Sequence, residues 1–427
     1  MPFLEKNNPN CIIVGARKVF EEQDPSSVSS SLEELSLLAD TLGLRVMGSV
    51  VVNLRKITPS IFYGKGQIES VSNKAAAMDC PYIIFNDDIT PAQFKNIKKI
   101  ILKREVFDRT GIILEIFRNN AKTKESKLQV ELASLQYMLP RLTRQWTHLE
   151  RQMGGTGTRG GPGEKQIEID RRLIGKKITK LKSDLEKITK NREIQSYSRK
   201  NVFRVSLVGY TNAGKSSLLN ALCQPETTYV EDKLFATLDT TTRNINISKN
   251  KRILVTDTVG FIKDLPHDLV ASFRSTFEEA KSSDLVIIVV DSSISRKIMQ
   301  DHISVIQSTL DGMSIKNKET LFVFNKVDQI KDKEKIAYLK KKYKDSILVS
   351  AREHIMIDEL VKHIESLMKK SYVSGLLAIP HKESSLLKDI YGKFEIESRK
   401  DTFEHVELKV SGNALDIEKI RDKLKKV

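Results

Sequence analysis

The spacing of apolar residues changes along the chain and divides it into four sections. In residues 1–120, short apolar runs alternate with amphipathic stretches. Cys11-Ile12-Ile13-Val14, residues 45–54 and Tyr82-Ile83-Ile84-Phe85 predict strands, with helices over 32–42 and 91–102. That alternation implies a small parallel or mixed α/β domain. In residues 121–200 the period becomes a heptad: Leu128, Leu132, Leu135, Leu139, Leu142, Trp146 and Leu149 form one seam, and Ile174, Ile178, Leu181, Leu185 and Ile188 a second. Two seams joined by a short connection predict an antiparallel helical hairpin, broken or kinked at Pro140. Residues 201–370 return to buried-strand runs alternating with helical stretches, the pattern of a mostly parallel α/β sheet. Residues 371–427 predict a small α+β tail, with strands over 393–397 and 405–410 and a helix over 414–424.

Charge sharpens the second section. The chain of 427 residues carries a formal +16, and residues 122–200 hold 19 Lys or Arg against 9 Asp or Glu, more than half of that surplus. Six of the 20 glycines fall within 154–163, between the two seams, with Arg151, Arg159, Lys165, Arg171 and Arg172 around them. A glycine-rich stretch cannot hold a helix and predicts an exposed tip. A one-signed basic hairpin bearing such a tip suits RNA phosphates better than a solvated helix face. The three cysteines, Cys11, Cys80 and Cys223, form no zinc-binding spacing, and their sparse, odd count fits a reducing compartment. With no signal-like segment and no apolar run long enough to span a bilayer, a cytoplasmic protein without a membrane span is expected, acting as a monomer.

The third section carries the chemistry. A strand-like run over 202–208 leads into Gly209-Tyr210-Thr211-Asn212-Ala213-Gly214-Lys215-Ser216 and then an apolar helix start. This is a phosphate-binding loop in its strand–loop–helix setting. Its backbone N–H groups would curl around the β-phosphate, Lys215 would bridge the β- and γ-phosphates, and Ser216 would coordinate Mg²⁺. The run Leu321-Phe322-Val323-Phe324 ends in Asn325-Lys326-Val327-Asp328. A carboxylate at Asp328 can accept from guanine N1–H and N2–H₂ together, which selects GTP over ATP. Lys326 would pack over the base, Asn325 would brace the loop, and Ser350-Ala351-Arg352 would offer a backbone N–H to guanine O6.

Two switch segments follow from position. Asp257-Thr258-Val259-Gly260 ends a strand over 252–256; Asp257 would hold a water on Mg²⁺, and Gly260 would sense the γ-phosphate. Phe235-Ala236-Thr237-Leu238-Asp239 occupies the first switch position, with Thr237 the expected second hydroxyl on Mg²⁺. The neighbouring Thr240, Thr241 and Thr242 leave the choice of threonine open. Phe261 stands where Ras-like proteins carry the glutamine that orients the attacking water, so slow intrinsic hydrolysis is expected and no catalytic residue is assigned. Asn212 makes K⁺ a candidate cofactor, because some related GTPases hold K⁺ with an Asn at this position.

These motifs, with Leu265-Pro266-His267-Asp268-Leu269-Val270, Gly160-Gly161-Pro162-Gly163-Glu164 and Asp108-Arg109-Thr110-Gly111, resemble the HflX family of translation-factor-class GTPases over about residues 10–370. The resemblance implies GTPase activity stimulated on the large ribosomal subunit and its RNA, and roles in ribosome splitting, rescue or subunit biogenesis. Thr240 stands where the family commonly has proline. A regulatory switch that recruits a protein effector is the competing reading, and an RNA-remodelling ATPase a third that Asp328 counts against.

Overall fold

The computed structural model describes residues 9–21, 25–142, 166–197, 202–223, 234–235, 238–248, 251–263, 279–312, 315, 318–383 and 385–425. The chain divides into two compact units. The first is built on Met1–Thr189, joined by the described residues of Glu231–Asp239; the second is built on Lys190–Val230, Thr240–Lys263 and Ser275–Val427.

In the first unit a four-stranded sheet runs in the order β2 (Arg45–Leu54), β1 (Asn10–Lys18), β3 (Tyr82–Phe85), β4 (Glu105–Asp108), with every neighbouring pair parallel. β3 is buried at all four residues and β1 along most of its length, as parallel strands covered on both faces must be. Ile12, Val14, Ile83 and Phe85 pack with Ile68, Val71 and Ala75 of α2 (Lys65–Ala77) and Phe94 and Ile97 of α3 (Pro91–Ile100). α1 (Pro25–Thr41) packs on β1 and β2, and α4 (Arg109–Asn120) on β3 and β4. α1 is longer at its start than the expected 32–42 because Pro25, with φ already suited to a first turn, opens it. Thr90 and Gln93 cap α3 reciprocally, each side chain accepting the other's backbone N–H (3.4 and 3.0 Å).

The start of α4 is held by Asp108. Its buried carboxylate accepts from Gly111 N (2.8 Å), Tyr137 Oη (2.7 Å) and Arg141 (3.1 Å). Burial pushes this carboxyl up, against the pull of the Arg141 guanidinium and the hydrogen bonds. Tyr137 and Arg141 come from the first heptad seam, which forms α5 (Lys124–Met138) and breaks into a 3-10 turn, Leu139–Arg141, at Pro140 as its chemistry requires. The second seam lies on α6 (Gln166–Tyr197). Leu132, Leu135 and Leu142 share one core with Ile174 and Leu181, and Lys177 pairs with Glu131 at 2.6 Å. Trp146, Leu149 and the glycine-rich stretch 154–163, with Arg151, Arg159 and Lys165, lie outside the described residues.

The second unit holds a six-stranded sheet in the order β10 (Ile347–Leu348), β9 (Glu319–Asn325), β8 (Leu285–Asp291), β5 (Phe203–Gly209), β7 (Lys251–Asp257), β6 (Thr241–Ser248). All pairs are parallel except β6 with β7. The strand order reverses between β5 and β8, and in sheets of this kind ligands bind beyond the carboxyl ends of the strands at that point. A separate antiparallel sheet, β11 (Val373–Pro380), β13 (His405–Gly412), β12 (Glu395–Asp401), packs its inner face with α11 (Ser385–Lys393) and α12 (Ala414–Lys425) around Leu377, Ile379, Leu408 and Val410. The expected strand start at residue 393 is corrected to Glu395, because Lys393 ends α11.

Candidate functional site

Beyond the carboxyl end of β5 the chain turns at once. A Cβ on Gly209 would lie 2.3 Å from the carbonyl oxygen of Val289 in β8, so only glycine lets the two strands stay this close. The loop closes at Gly214, whose φ of +84° is one that side chains rarely adopt, and α7 (Lys215–Cys223) begins there. Lys215 is curled back and buried, its Nζ donating to Gly209 O (3.2 Å) and Tyr210 O (3.0 Å). This places the cationic nitrogen beneath the loop that precedes a helix N-terminus, a setting matched to phosphate. Burial lowers the Lys215 ammonium to about 8, against the pull of the Asp257 carboxylate. Ser216 Oγ donates to Asp257 Oδ2 at 2.6 Å, so the first expected metal hydroxyl and the expected acid already stand together.

The loop expected to read the base is tied to the phosphate loop by one residue. Asn325, at the end of β9, donates from Nδ2 to Ala213 O (3.0 Å) and accepts at Oδ1 from Ala351 N (3.0 Å). It thereby joins three loops that the sequence separates widely. Lys326 has φ +62° and pairs with Asp291 Oδ2 at 2.8 Å. Asp291, the last residue of β8, went unnoticed in the sequence, where its only signal is its place at the carboxyl end of a buried strand. Asp328 is exposed in the 3-10 turn Val327–Gln329, its carboxylate accessible to a base. Ser350 is buried and accepts from Glu353 N at 3.1 Å, while Arg352 is exposed.

The second switch continues β7 and zips onto the phosphate loop. Phe261 N donates to Gly209 O (3.0 Å), and Thr211 N donates to Phe261 O (2.8 Å). Lys263 N donates to the Tyr210 hydroxyl at 2.8 Å, and the Tyr210 ring stacks on His302 of α8 (Arg296–Gly312), centroids 3.5 Å apart. Tyr210 is thus a clamp on the switch, a role its motif position did not disclose. Phe261 is 1% exposed and fills core. Thr258 donates to Leu207 O (2.7 Å), and Val259 is buried. Asn212, at φ +59°, is exposed beside the loop.

The second unit therefore gathers Gly209 to Ser216, Asp257 to Gly260, Asn325 to Asp328 and Ser350 to Arg352. The first-switch residues Phe235, Leu238 and Asp239 belong instead with the first unit, and Ala236 and Thr237 lie outside the described residues. Among the described residues no helix is long and apolar enough to cross a membrane, and no cluster of three or more His, Cys, Asp or Glu could hold a metal. A phosphate-bound Mg²⁺ needs no such cluster, because it takes one or two protein oxygens and completes its shell with phosphate and water. The Ser216 hydroxyl beside the Asp257 carboxylate fits that donor set.

A pH dependence follows from Lys215. Phosphate binds the ammonium form, so affinity is full below about 8, where the free protein keeps that proton, and falls as pH rises through it. Nucleotide affinity measured by titration calorimetry should weaken roughly fivefold between about pH 8 and about pH 9, with proton uptake on binding. A flat affinity over that range would show that Lys215 keeps its proton without phosphate.

Comparison with known proteins agrees with this geometry. Residues 29–118 match the family model described as GTP-binding GTPase N-terminal, 120–199 that of the GTP-binding GTPase middle region, and 204–326 that of the 50S ribosome-binding GTPase. The GTPase HflX of Magnetococcus marinus is 45% identical over 71% of this chain and 69% of its own length. That of Escherichia coli is 37% identical over 86% and 85%, and that of Alkalihalophilus pseudofirmus 36% identical over 99% and 97%.

Proposed function

The chain belongs to the HflX family of GTPases and hydrolyses GTP, and from that premise we propose that it works on the large ribosomal subunit, in ribosome splitting, rescue or biogenesis. The observation that carries the ribosomal reading is the match of 204–326 to a 50S ribosome-binding GTPase. The surplus of ten positive charges over residues 122–200 supports it independently, because a polyanion such as ribosomal RNA is the partner that a one-signed surface attracts. A protein effector would not require that sign, which leaves the effector-recruiting switch the weaker reading.

Within the site, Lys215 and the N–H groups of the 209–216 loop hold the β- and γ-phosphates, Asp328 reads guanine, and Lys326 covers the base. Ser216 and Thr237 would hold Mg²⁺, with Asp257 behind a bound water. When bound, that ion neutralises charge developing on the β–γ oxygens. Water attacks the γ-phosphorus, the bond to the β–γ bridging oxygen breaks, and GDP leaves with inorganic phosphate. Phe261 offers this water nothing: it has no polar group and its side chain is buried. The orienting group therefore comes from a partner or from a rearranged switch, and Asn212 would hold a K⁺ that shares the charge.

The test is co-sedimentation with ribosomal subunits in GDP and in a non-hydrolysable GTP analogue, at low and high salt, with turnover measured alongside. Binding to the large subunit should be tighter with the analogue and should weaken steeply with salt. Turnover of the protein alone should stay below about 1 s⁻¹ and rise on the subunit, with a higher rate in K⁺ than in Na⁺. Absence of binding in every nucleotide state would remove the ribosome from this reading and leave a GTPase with another effector. Equal rates in K⁺ and Na⁺ would remove K⁺ alone.

A further inference from the structure

Lys326 is held at both ends of its side chain. Its backbone sits at φ +62°, in the left-handed region, and is fixed there by Val327 N donating to Val349 O (3.2 Å) and Gln329 N donating to Lys326 O (3.1 Å). Its Nζ pairs with Asp291 Oδ2 at 2.8 Å, with only 21% of the lysine side chain and 13% of the aspartate exposed. An exposed ion pair holds a flexible lysine weakly, but one shielded to this degree escapes much of the screening by salt and water. The carboxylate is itself locked. Its other oxygen, Oδ1, accepts from Ser293 N (2.8 Å) and Ser293 Oγ (2.5 Å). Next to it, Ser292 N and Ser292 Oγ both donate to Asn325 O, at 2.9 and 2.5 Å. Lys335 of α9 (Lys333–Lys342), a buried lysine, donates from Nζ to Ile294 O. Residues 291–294 are therefore pinned one after another, and both oxygens of Asp291 are engaged within the protein.

We propose that Asp291, which lies outside every nucleotide-binding motif, is a positioning residue for the nucleotide: by clamping the Lys326 ammonium it keeps the stem of that side chain laid out as a cover for the base. A lysine has two chemically distinct parts, a cation that seeks a carboxylate and an apolar stem that can lie against a flat ring. With Cα fixed by the backbone and Nζ fixed by Asp291, the stem between them has few ways left to lie. A lysine free at its tip loses rotamer freedom when the base arrives, whereas a clamped one has lost it on folding, so binding costs less. The inference rests on Lys326 covering the base, and the test carries a control for that reading. Contact with the plane of a purine is indifferent to its exocyclic groups, while recognition by Asp328 depends on them. That difference separates a clamp on Lys326 from a general distortion of the loop.

In the full-length chain, affinities are measured for GDP and for inosine diphosphate, which keeps the purine plane and lacks the 2-amino group. Asp291→Ala should weaken both by the same factor, roughly fivefold to twentyfold, as a lysine that must be ordered on binding requires. Lys326→Ala, which removes the stem, should weaken both at least as much. Adding Asp291→Ala to Lys326→Ala should then cost almost nothing, because the clamp has nothing left to hold. Asp291→Asn keeps the volume and loses the charge, so an equal but smaller loss is expected there, and the question survives if Asp291→Ala folds poorly. No loss in whichever Asp291 variant folds, a larger loss for GDP than for inosine diphosphate, or full additivity with Lys326→Ala overturns the proposal while Lys326→Ala still weakens both. If Lys326→Ala binds both normally, the base-covering reading itself fails and takes the proposal with it.

Discussion

Replacing Asp328 by Asn should move the protein from guanine to xanthine nucleotides. The carboxylate can accept from guanine N1–H and N2–H₂ at once, and each hydrogen bond to a charged group is worth roughly 1.5–3 kcal/mol. An amide presents one acceptor and one donor, so its NH₂ would face the guanine N2–H₂, donor against donor. GTP affinity should fall by about 10²- to 10³-fold. Xanthine carries a carbonyl at that position and would accept from the new NH₂, so xanthosine triphosphate should gain what GTP loses. The fold should not notice: Asp328 is exposed in a short turn whose closure, Ile330 N to Val327 O at 3.1 Å, is made by backbone. Competition between the two triphosphates measures the effect, and an unaltered preference for GTP would sink the assignment of Asp328 to the base.

The nucleotide motifs were legible because their chemistry is local. A glycine must stand where a strand end nearly touches its neighbour, a lysine must follow a loop that opens a helix, and an acid must follow a buried strand. Each requirement leaves a residue type at a fixed offset, and Gly209, Lys215 and Asp328 sit where those offsets place them. The heptad seams were legible for the same reason, down to the break at Pro140. Short or edge elements were not. β4 was unread because Glu105–Asp108 mixes charged with apolar residues over four positions, and α4 because it is buried around most of its first two turns and shows no polar stripe. β6 was unread because Thr241–Ser248 alternates polar residues with few apolar ones, as the outermost strand of a sheet does, and its threonines had been claimed by the switch. The same blindness hid β11 and α11 in the tail.

What sequence could not show at all is where the switches rest. The pairing of Phe261 with Gly209 and Thr211 is made by backbone atoms, which any residue could supply. The bonds from Thr123 to Asp239 span 116 positions, and neither residue is unusual where it stands. Phe235 looks like one more apolar residue in a motif until its ring is found against Phe117. The sequence thus located the parts expected to touch nucleotide and left unseen the contacts that hold the switch segments in place. The two classes differ physically: the first answer to a ligand of fixed shape, the second only to each other.

Substituting Gly214 by Ala should cripple the phosphate loop for GTP and GDP alike, and its cause can be separated into two terms. A Cβ there would lie 2.2 Å from Asn325 Nδ2, inside any tolerable contact. The same residue holds φ +84°, which costs a side chain about 1–2 kcal/mol. Overpacking adds about 1–3 kcal/mol, and displacing Asn325 also breaks its bond to Ala213 O. Together these should lower affinity for both nucleotides by at least about 10²-fold. Asn325→Ala alone should also weaken both, because it strands the buried Ala351 N–H and the Ala213 carbonyl. The double variant decides between clash and strain. With Asn325 trimmed, the new methyl has room and only the backbone strain remains, so the double variant should be less impaired than the two losses added, by about 1–2 kcal/mol. Strict additivity in a calorimetric cycle would mean that Gly214 is required for its conformation alone, and that the contact with Asn325 contributes nothing to holding the loop in shape.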